Sequence, residues 1–149
     1  MDYSFDRMNP ADLDSVLEIE KNSFTQPWTR QMFENEMRGN PFSEPVVLRT
    51  GAEIAGYCCL WFMFEECHIL DFAVSLPRRR GGWGEKMLDW IIQKSRDKGA
   101  RKILLEVREG NKSARALYQK AGFVEIAVRK DYYSEPRENA LILMRALNG

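Results

Sequence analysis

The chain has 149 residues, of which 44% are hydrophobic and 30% charged, the profile of an ordinary globular protein with one core, spanning residues 1–149 as a single domain. That apolar content argues against disorder. Lys plus Arg and Asp plus Glu each number 22, so the formal net charge is zero; a dedicated nucleic-acid binder carries a basic excess, and any anion site here must be a local cluster.

In chain order, Tyr3 and Phe5 alternate with polar neighbours as a first strand. Asn9-Pro10 reads as a helix N-cap followed by an N1 proline. Leu13, Val16, Leu17 and Glu20 then fall at helical spacing, and Phe24 extends the stripe until Pro27-Trp28 interrupts it. Thr29 caps a second helix with Met32, Phe33 and Met37 on its apolar face, ended by Gly39 and Pro41. Val46–Leu48, Ile54–Phe64 and Cys67–Val74 read as strands joined by links too short for crossover helices, hence an antiparallel meander.

From Gly84 the period becomes helical, with Met87, Leu88, Ile91 and Ile92 on one face and Gly99 as the C′ residue. Lys102–Val107 is a buried-looking strand. Ser113–Lys120 is a short helix closed by Ala121-Gly122. Phe123–Val128 and Ala140–Leu147 are the last strands, separated by a polar loop that carries Tyr132 and Tyr133. The order predicts an α+β fold with a mixed sheet flanked by helices.

Cys58, Cys59 and Cys67 form no CxxC pair, and His68 is the one histidine, so no metal site is expected and reduced, buried thiols are. His68, on a strand, reads as structural. Met1–Arg7 lacks the apolar core of a secretory signal, and the apolar run Tyr57–Phe64 is far shorter than a membrane span, so the expectation is a cytoplasmic protein with no membrane partner.

The most informative stretch runs from Val74 to Gly84: a strand end, then Arg78, Arg79 and Arg80, then Gly81, Gly82 and Gly84 around Trp83, where a helix begins. Glycines let backbone N–H groups approach a ligand, a helix N-terminus adds partial positive charge, and guanidiniums add bidentate donors. The combination describes a diphosphate cradle; the alternative is a solvated turn. It is neither a P-loop nor a dinucleotide fingerprint, because no Gly-Lys-[Ser/Thr] follows and Met87 stands where the third glycine would be.

Arg79-x-x-Gly82-x-Gly84 matches the pyrophosphate signature of the GNAT acyl-CoA N-acyltransferases. Asp71-Phe72-Ala73-Val74 upstream resembles that family's central strand. Asn111, Ala116-Leu117-Tyr118 and Gly122-Phe123 downstream resemble its second signature. Within the family, Glu20, Phe24, Pro27-Trp28, Leu105-Glu106-Val107-Arg108, Arg129–Tyr133 and Arg137–Met144 resemble the RimI-type ribosomal-protein-alanine N-acetyltransferases over nearly the whole chain. Asp71, Gly81 and Trp83 depart from that pattern, standing where Asn, Arg and a smaller aliphatic residue are usual.

The resemblance implies a GNAT fold with acetyl-CoA as co-substrate. It implies direct acetyl transfer to the α-amine of a protein N-terminus, the alanine of a small-subunit ribosomal protein being the named candidate. The coenzyme is expected at Phe72, Ala73, Val74, Arg79, Arg80, Gly81, Gly82, Trp83, Gly84 and Asn111, with Asn111 also able to cap its helix. Glu106 is the implied base. By strand parity it shares a face with Leu104, where partial burial would make it a better base; a strand-end salt bridge is the alternative. Tyr118 is the candidate acid, because a phenol stays neutral at pH 7 and can protonate a departing thiolate; the alternative is a core tyrosine. Trp28, Tyr132 and Tyr133 read either as core aromatics or as a wall for the acceptor peptide. The other functional readings are a GNAT enzyme acting on a small amine or lysine, and a non-catalytic acyl-CoA-binding module. The oligomeric state is left open, and direct nucleic-acid binding is not expected.

Overall fold

The computed structural model describes residues 2–147. Met1, Asn148 and Gly149 of the expected domain lie outside them. The chain divides into two compact units, Met1–Trp61 with Leu70–Met87, and Phe62–Ile69 with Leu88–Gly149.

Unit 1 contains β1 (Ser4–Arg7), α1 (Leu13–Ser23), α2 (Arg30–Arg38), β2 (Ser43–Thr50), most of β3 (Glu53–Met63) and the end of β4 (Glu66–Val74). Its strand order is β1-β2-β3-β4, with β1–β2 and β2–β3 antiparallel, the second as its short link requires. The core is Leu13 and Val16 of α1, Phe33 of α2, Val47, Tyr57 and Cys59. α1 is entered through a 3₁₀ turn at Pro10–Asp12 that Asn9 caps, its side chain accepting from the Ala11 N–H at 2.9 Å. Thr29 caps α2. Phe24 does not extend α1: it is extended (φ −133°), so the helix ends at Ser23 and the Phe24 ring only flanks the core.

Unit 2 contains most of α3 (Trp83–Asp97), β5 (Lys102–Arg108), α4 (Lys112–Lys120), β6 (Val124–Ser134) and β7 (Arg137–Ala146). Its strand order is β4-β5-β7-β6. Glu66–Ile69 pairs parallel with Lys102–Leu105, while β5–β7 and β7–β6 are antiparallel, so the sheet is mixed as expected. Ile91, Ile92, Ile103, Leu105, Leu141 and Leu143 are buried.

Both helices of this unit end in the same motif. Gly99 takes φ +81°, its N–H reaches Arg96 O and the Ala100 N–H reaches Ser95 O; Gly122 takes φ +92°, its N–H reaches Gln119 O and the Phe123 N–H reaches Tyr118 O. These are Schellman caps, which satisfy the last carbonyls and require a left-handed residue that glycine adopts without strain.

The tyrosine-bearing stretch expected as a loop is strand. β6 runs to Ser134, with Tyr133 opposite Glu138 and Ser134 opposite Arg137. A bulge between Arg129 and Tyr133 takes up the irregularity: Asp131 adopts φ +51° and its N–H is accepted by Asn139 Oδ1 at 2.9 Å.

Asp12 fixes the entry to α1. It accepts from the Asn9 N–H and holds Arg49 in a fork, Nη1 to Oδ1 and Nη2 to Oδ2, both 2.8 Å. Burial alone would raise the Asp12 pKa, but the Arg49 and Asn9 hydrogen bonds and the Arg49 charge outweigh it and hold the carboxyl below its ordinary value. A depressed carboxyl stabilises the fold above its unfolded-state pKa and loses that contribution as pH falls through the folded one. Asp12→Asn is therefore expected to destabilise the protein by about 1.5–3 kcal/mol at pH 7. In urea denaturation the gap should close below about pH 4; an equal gap at pH 3 and pH 7 would contradict the assignment.

Candidate active site

Unit 1 carries the arginine–glycine loop. β4 ends at Val74, Leu76–Arg78 forms a 3₁₀ turn, and α3 starts at Trp83. Two consecutive turns of the chain depend on left-handed residues, Arg80 at φ +65° and Gly82 at φ +82°. A Cβ at Gly82 would meet nothing within 4 Å, so its backbone faces open space at the start of a helix, the geometry an anion needs. At Gly81 a Cβ would lie 3.2 Å from both Arg78 O and Trp83 Cδ1, so the loop is tightest there.

The arginines divide their work. Arg79 Nε donates to Val74 O at 3.1 Å and Nη2 to Ser23 Oγ at 2.8 Å. Two of its donors thus brace the loop against the strand end and against α1, a role that spacing alone does not reveal. Arg78 lies 3.6 Å from Glu53 and over the Trp83 ring. Arg80 is exposed. The Trp83 side chain is buried and packs edge-on against Tyr3 at 5.6 Å, so the indole is core while its backbone opens the helix. Ala73 is buried, while Phe72 and Val74 are half-buried on the last residues of β4. Trp28 packs at 5.1 Å on Phe33, and its N–H donates to Glu20 Oε2 at 2.9 Å.

Unit 2 carries the candidate acid and base. On β5, Ile103, Leu105 and Val107 are buried and Glu106 is exposed. Strand parity therefore holds, but the expected partial burial of Glu106 does not: the face it shares with Leu104 is the open one. Asn111 caps α4, accepting from the Ala114 N–H at 3.2 Å. Tyr118 is buried, its ring edge-on to Phe123 at 5.8 Å. These are the C3 and C″ residues of the α4 cap, whose apolar contact usually accompanies a Schellman motif. The Ala-Leu-Tyr and Ala-Gly-Phe signatures are thus one helix ending.

Tyr133 is half-buried and edge-on to the exposed Tyr132 at 5.2 Å. Burial pushes the Tyr133 phenol up, the Glu106 charge pushes it further, and Arg108 opposes them. The structure therefore brings Tyr133 within electrostatic reach of Glu106. Arg108, which has no assigned role in the motif, organises this region. Its guanidinium lies 4.1 Å from the Tyr133 ring centroid, reaches Pro136 O at 3.0 Å and Glu135 O at 3.2 Å, and pairs with Glu138 at 3.3 Å. Glu138 in turn accepts from the Gly110 N–H. His68 pairs with Glu66 at 2.9 Å, and the three cysteines are buried free thiols.

Comparison with known proteins gives the family. Residues 13–123 match the acetyltransferase (GNAT) family. A Bacillus subtilis protein, provisionally named a ribosomal protein bS18-alanine N-acetyltransferase, is 36% identical over 141 residues, 95% of this chain and 93% of that one. The ribosomal protein bS18-alanine N-acetyltransferase of Haemophilus influenzae is 32% identical over 92% of this chain and 94% of its own. The crystal structure of the ribosomal-protein-S18-alanine N-acetyltransferase from Escherichia coli shares the fold with a TM-score of 0.88 and 25% identity, over 99% of this chain and 96% of that one. With the loop, the central strand and the Asn–Tyr–Phe helix all inside the matched span, this chain belongs to the GNAT family of acetyltransferases.

Proposed function

We propose that the chain, acting as one domain over residues 1–149, transfers acetyl from acetyl-CoA to the α-amine of a protein N-terminus. An N-terminal alanine of a small-subunit ribosomal protein is the favoured acceptor, which places the reaction in the cytoplasm. The names of its full-length relatives support the acceptor class. The observation that carries the reading is Glu106: an exposed carboxylate on β5 whose charge reaches the half-buried Tyr133 phenol. An incoming N-terminus is an ammonium, and an open carboxylate attracts that cation and can accept its proton.

In this reading Phe72, Ala73 and Val74 pair through their backbone with the coenzyme arm, as an added strand would. The backbone of Gly81, Gly82, Trp83 and Gly84 cradles the diphosphate at the start of α3. Arg80 supplies charge, and Arg79 holds the loop to Val74. Asn111 combines its capping role with a contact to the coenzyme arm. Glu106, directly or through water, removes the proton from the ammonium. Backbone N–H groups near Val74 steady the charge that builds on the thioester oxygen. Tyr118 returns a proton to the departing thiolate. Trp28, Tyr132 and Tyr133 line the acceptor.

Gly82→Val should weaken acetyl-CoA binding several-fold or more, because a β-branched residue is strained at φ +82° and its side chain fills the space the backbone leaves open. Calorimetric titration of the folded variant checks this, and unchanged affinity would remove the loop from coenzyme binding.

Glu106→Gln should lower turnover at pH 7 by about 10²–10⁴-fold. Activity should partly recover above pH ~8, where an α-amine is already free. Tyr118→Phe should bind acetyl-CoA normally and turn over about 10²-fold more slowly, since only the proton donor is lost. Steady-state rates across pH with an alanine-starting peptide decide both: near-normal turnover in either variant moves that role to another group.

A further inference from the structure

Besides Asp12, which Arg49 neutralises, unit 1 buries two carboxyl groups that the transfer chemistry does not use. Glu20 of α1 is 1% exposed and Asp71 of β4 is 7% exposed. Glu20 accepts from Tyr57 Oη at 2.8 Å through Oε1 and from the Trp28 N–H at 2.9 Å through Oε2. Asp71 accepts from the Phe72 N–H at 2.9 Å through Oδ1. Its second oxygen, Oδ2, is buried and receives no donor, and its carboxyl faces that of Glu20.

Two adjacent carboxylates in a low-dielectric interior repel strongly, and a buried carboxylate oxygen without a donor is costly. Both difficulties vanish if the bare oxygen of Asp71 carries a hydrogen and gives it to Glu20. Glu20 gathers two donors, the arrangement of an acceptor, whereas Asp71 has one donor and one bare oxygen. Among the described residues, no cation acts on Asp71 to relieve them. Tyr57 and Cys59 face the pair from β3, and burial together with these acids raises both and keeps them neutral, while Glu36 of α2 adds a further negative charge near Cys59. Burial first, and then the Glu20 hydrogen bond and charge, raise the Asp71 carboxyl well above its ordinary range.

We propose that Asp71 is a positioning residue: it keeps a proton at neutral pH and donates it to Glu20, tying the strand of Phe72–Val74 to the backbone of Trp28. The positioning half rests on the acetyl-transfer reading above, and the proton half does not.

A carboxyl raised in the folded state contributes stability that is full below the unfolded-state pKa, about 3.9, and fades as pH rises toward the folded value. Over that window the native protein holds one proton more than the unfolded chain, so its unfolding constant rises about tenfold per pH unit. Asp71→Asn replaces the O–H by an amide N–H that does not titrate. In urea denaturation of the full chain from pH 5 to pH 7, the wild-type unfolding constant divided by that of Asp71→Asn should grow about tenfold per unit. Glu20→Gln, which also supplies an amide hydrogen, is the second isosteric variant and should give the same rise. A flat ratio against both variants would overturn the shared proton.

Steady-state kinetics with acetyl-CoA and an alanine-starting peptide test the positioning half. Asp71→Ala should raise both KM values several-fold with a smaller effect on kcat, and Asp71→Asn should restore them. Unchanged KM values in Asp71→Ala would overturn the positioning role. Absence of transfer by the wild-type protein would count against the acetyltransferase reading, leaving the denaturation series to decide the proton.

Discussion

A carboxylate buried in an apolar helix stripe must find a donor for each oxygen, and Glu20 does so by reaching three parts of unit 1. The Tyr57 hydroxyl comes from β3, the Trp28 N–H from the turn between the helices, and Asp71 faces it from β4. Helix α1 therefore cannot shift against the β3–β4 strands without stranding a buried charge, an error that costs several kcal/mol. A second polar link runs from the end of the same helix: Arg79 donates to Ser23, and Ser23 donates to Ile19 O at 2.6 Å. Both links act on the last residues of β4, where Phe72, Ala73 and Val74 present their backbone.

Unit 2 solves a different problem with different means. Its candidate acid is placed by a helix cap, since the Tyr118 ring packs on the residue that follows Gly122. Its candidate base is placed by strand alternation and left open to solvent. Arg108 then joins β5 to the β6–β7 turn through Glu135, Pro136 and Glu138, and lays its guanidinium on Tyr133. Such a planar cation spreads its donors over two carbonyls and one carboxylate while stacking on a ring, a geometry that the compact ammonium of a lysine does not match.

Local signals carried most of this in the sequence. The caps at Asn9, Thr29, Asn111, Gly99 and Gly122 are short-range devices, and each lies where the residue pattern puts it. The antiparallel pairing of β2 with β3 follows from link length alone. The extent of β6 was hidden because its residues are exposed at almost every position, as the last strand in its order, and a strand with no buried face shows no alternation. The exposure of Glu106 was hidden for a related reason: parity tells which residues share a face, not which face is covered. Ser23 for Arg79, Tyr3 for Trp83 and Glu20 for Asp71 lie far along the chain, and no local pattern reports them. A trace of Glu20 was visible, as a carboxylate at an apolar helical position, which is a place that demands a partner.

The central claim is direct acetyl transfer to an α-amine, and one peptide tests it. The peptide begins with alanine and carries a single internal lysine; it is incubated with acetyl-CoA and the protein, and the modified position is mapped by fragmentation in a mass spectrometer. The predicted result is one acetyl group on the α-amine, an unmodified lysine, and no acetyl retained on the protein when the peptide is omitted. Acetylation of the lysine in preference to the α-amine, or a stable acetyl group on Cys58, Cys59 or Cys67, would contradict it.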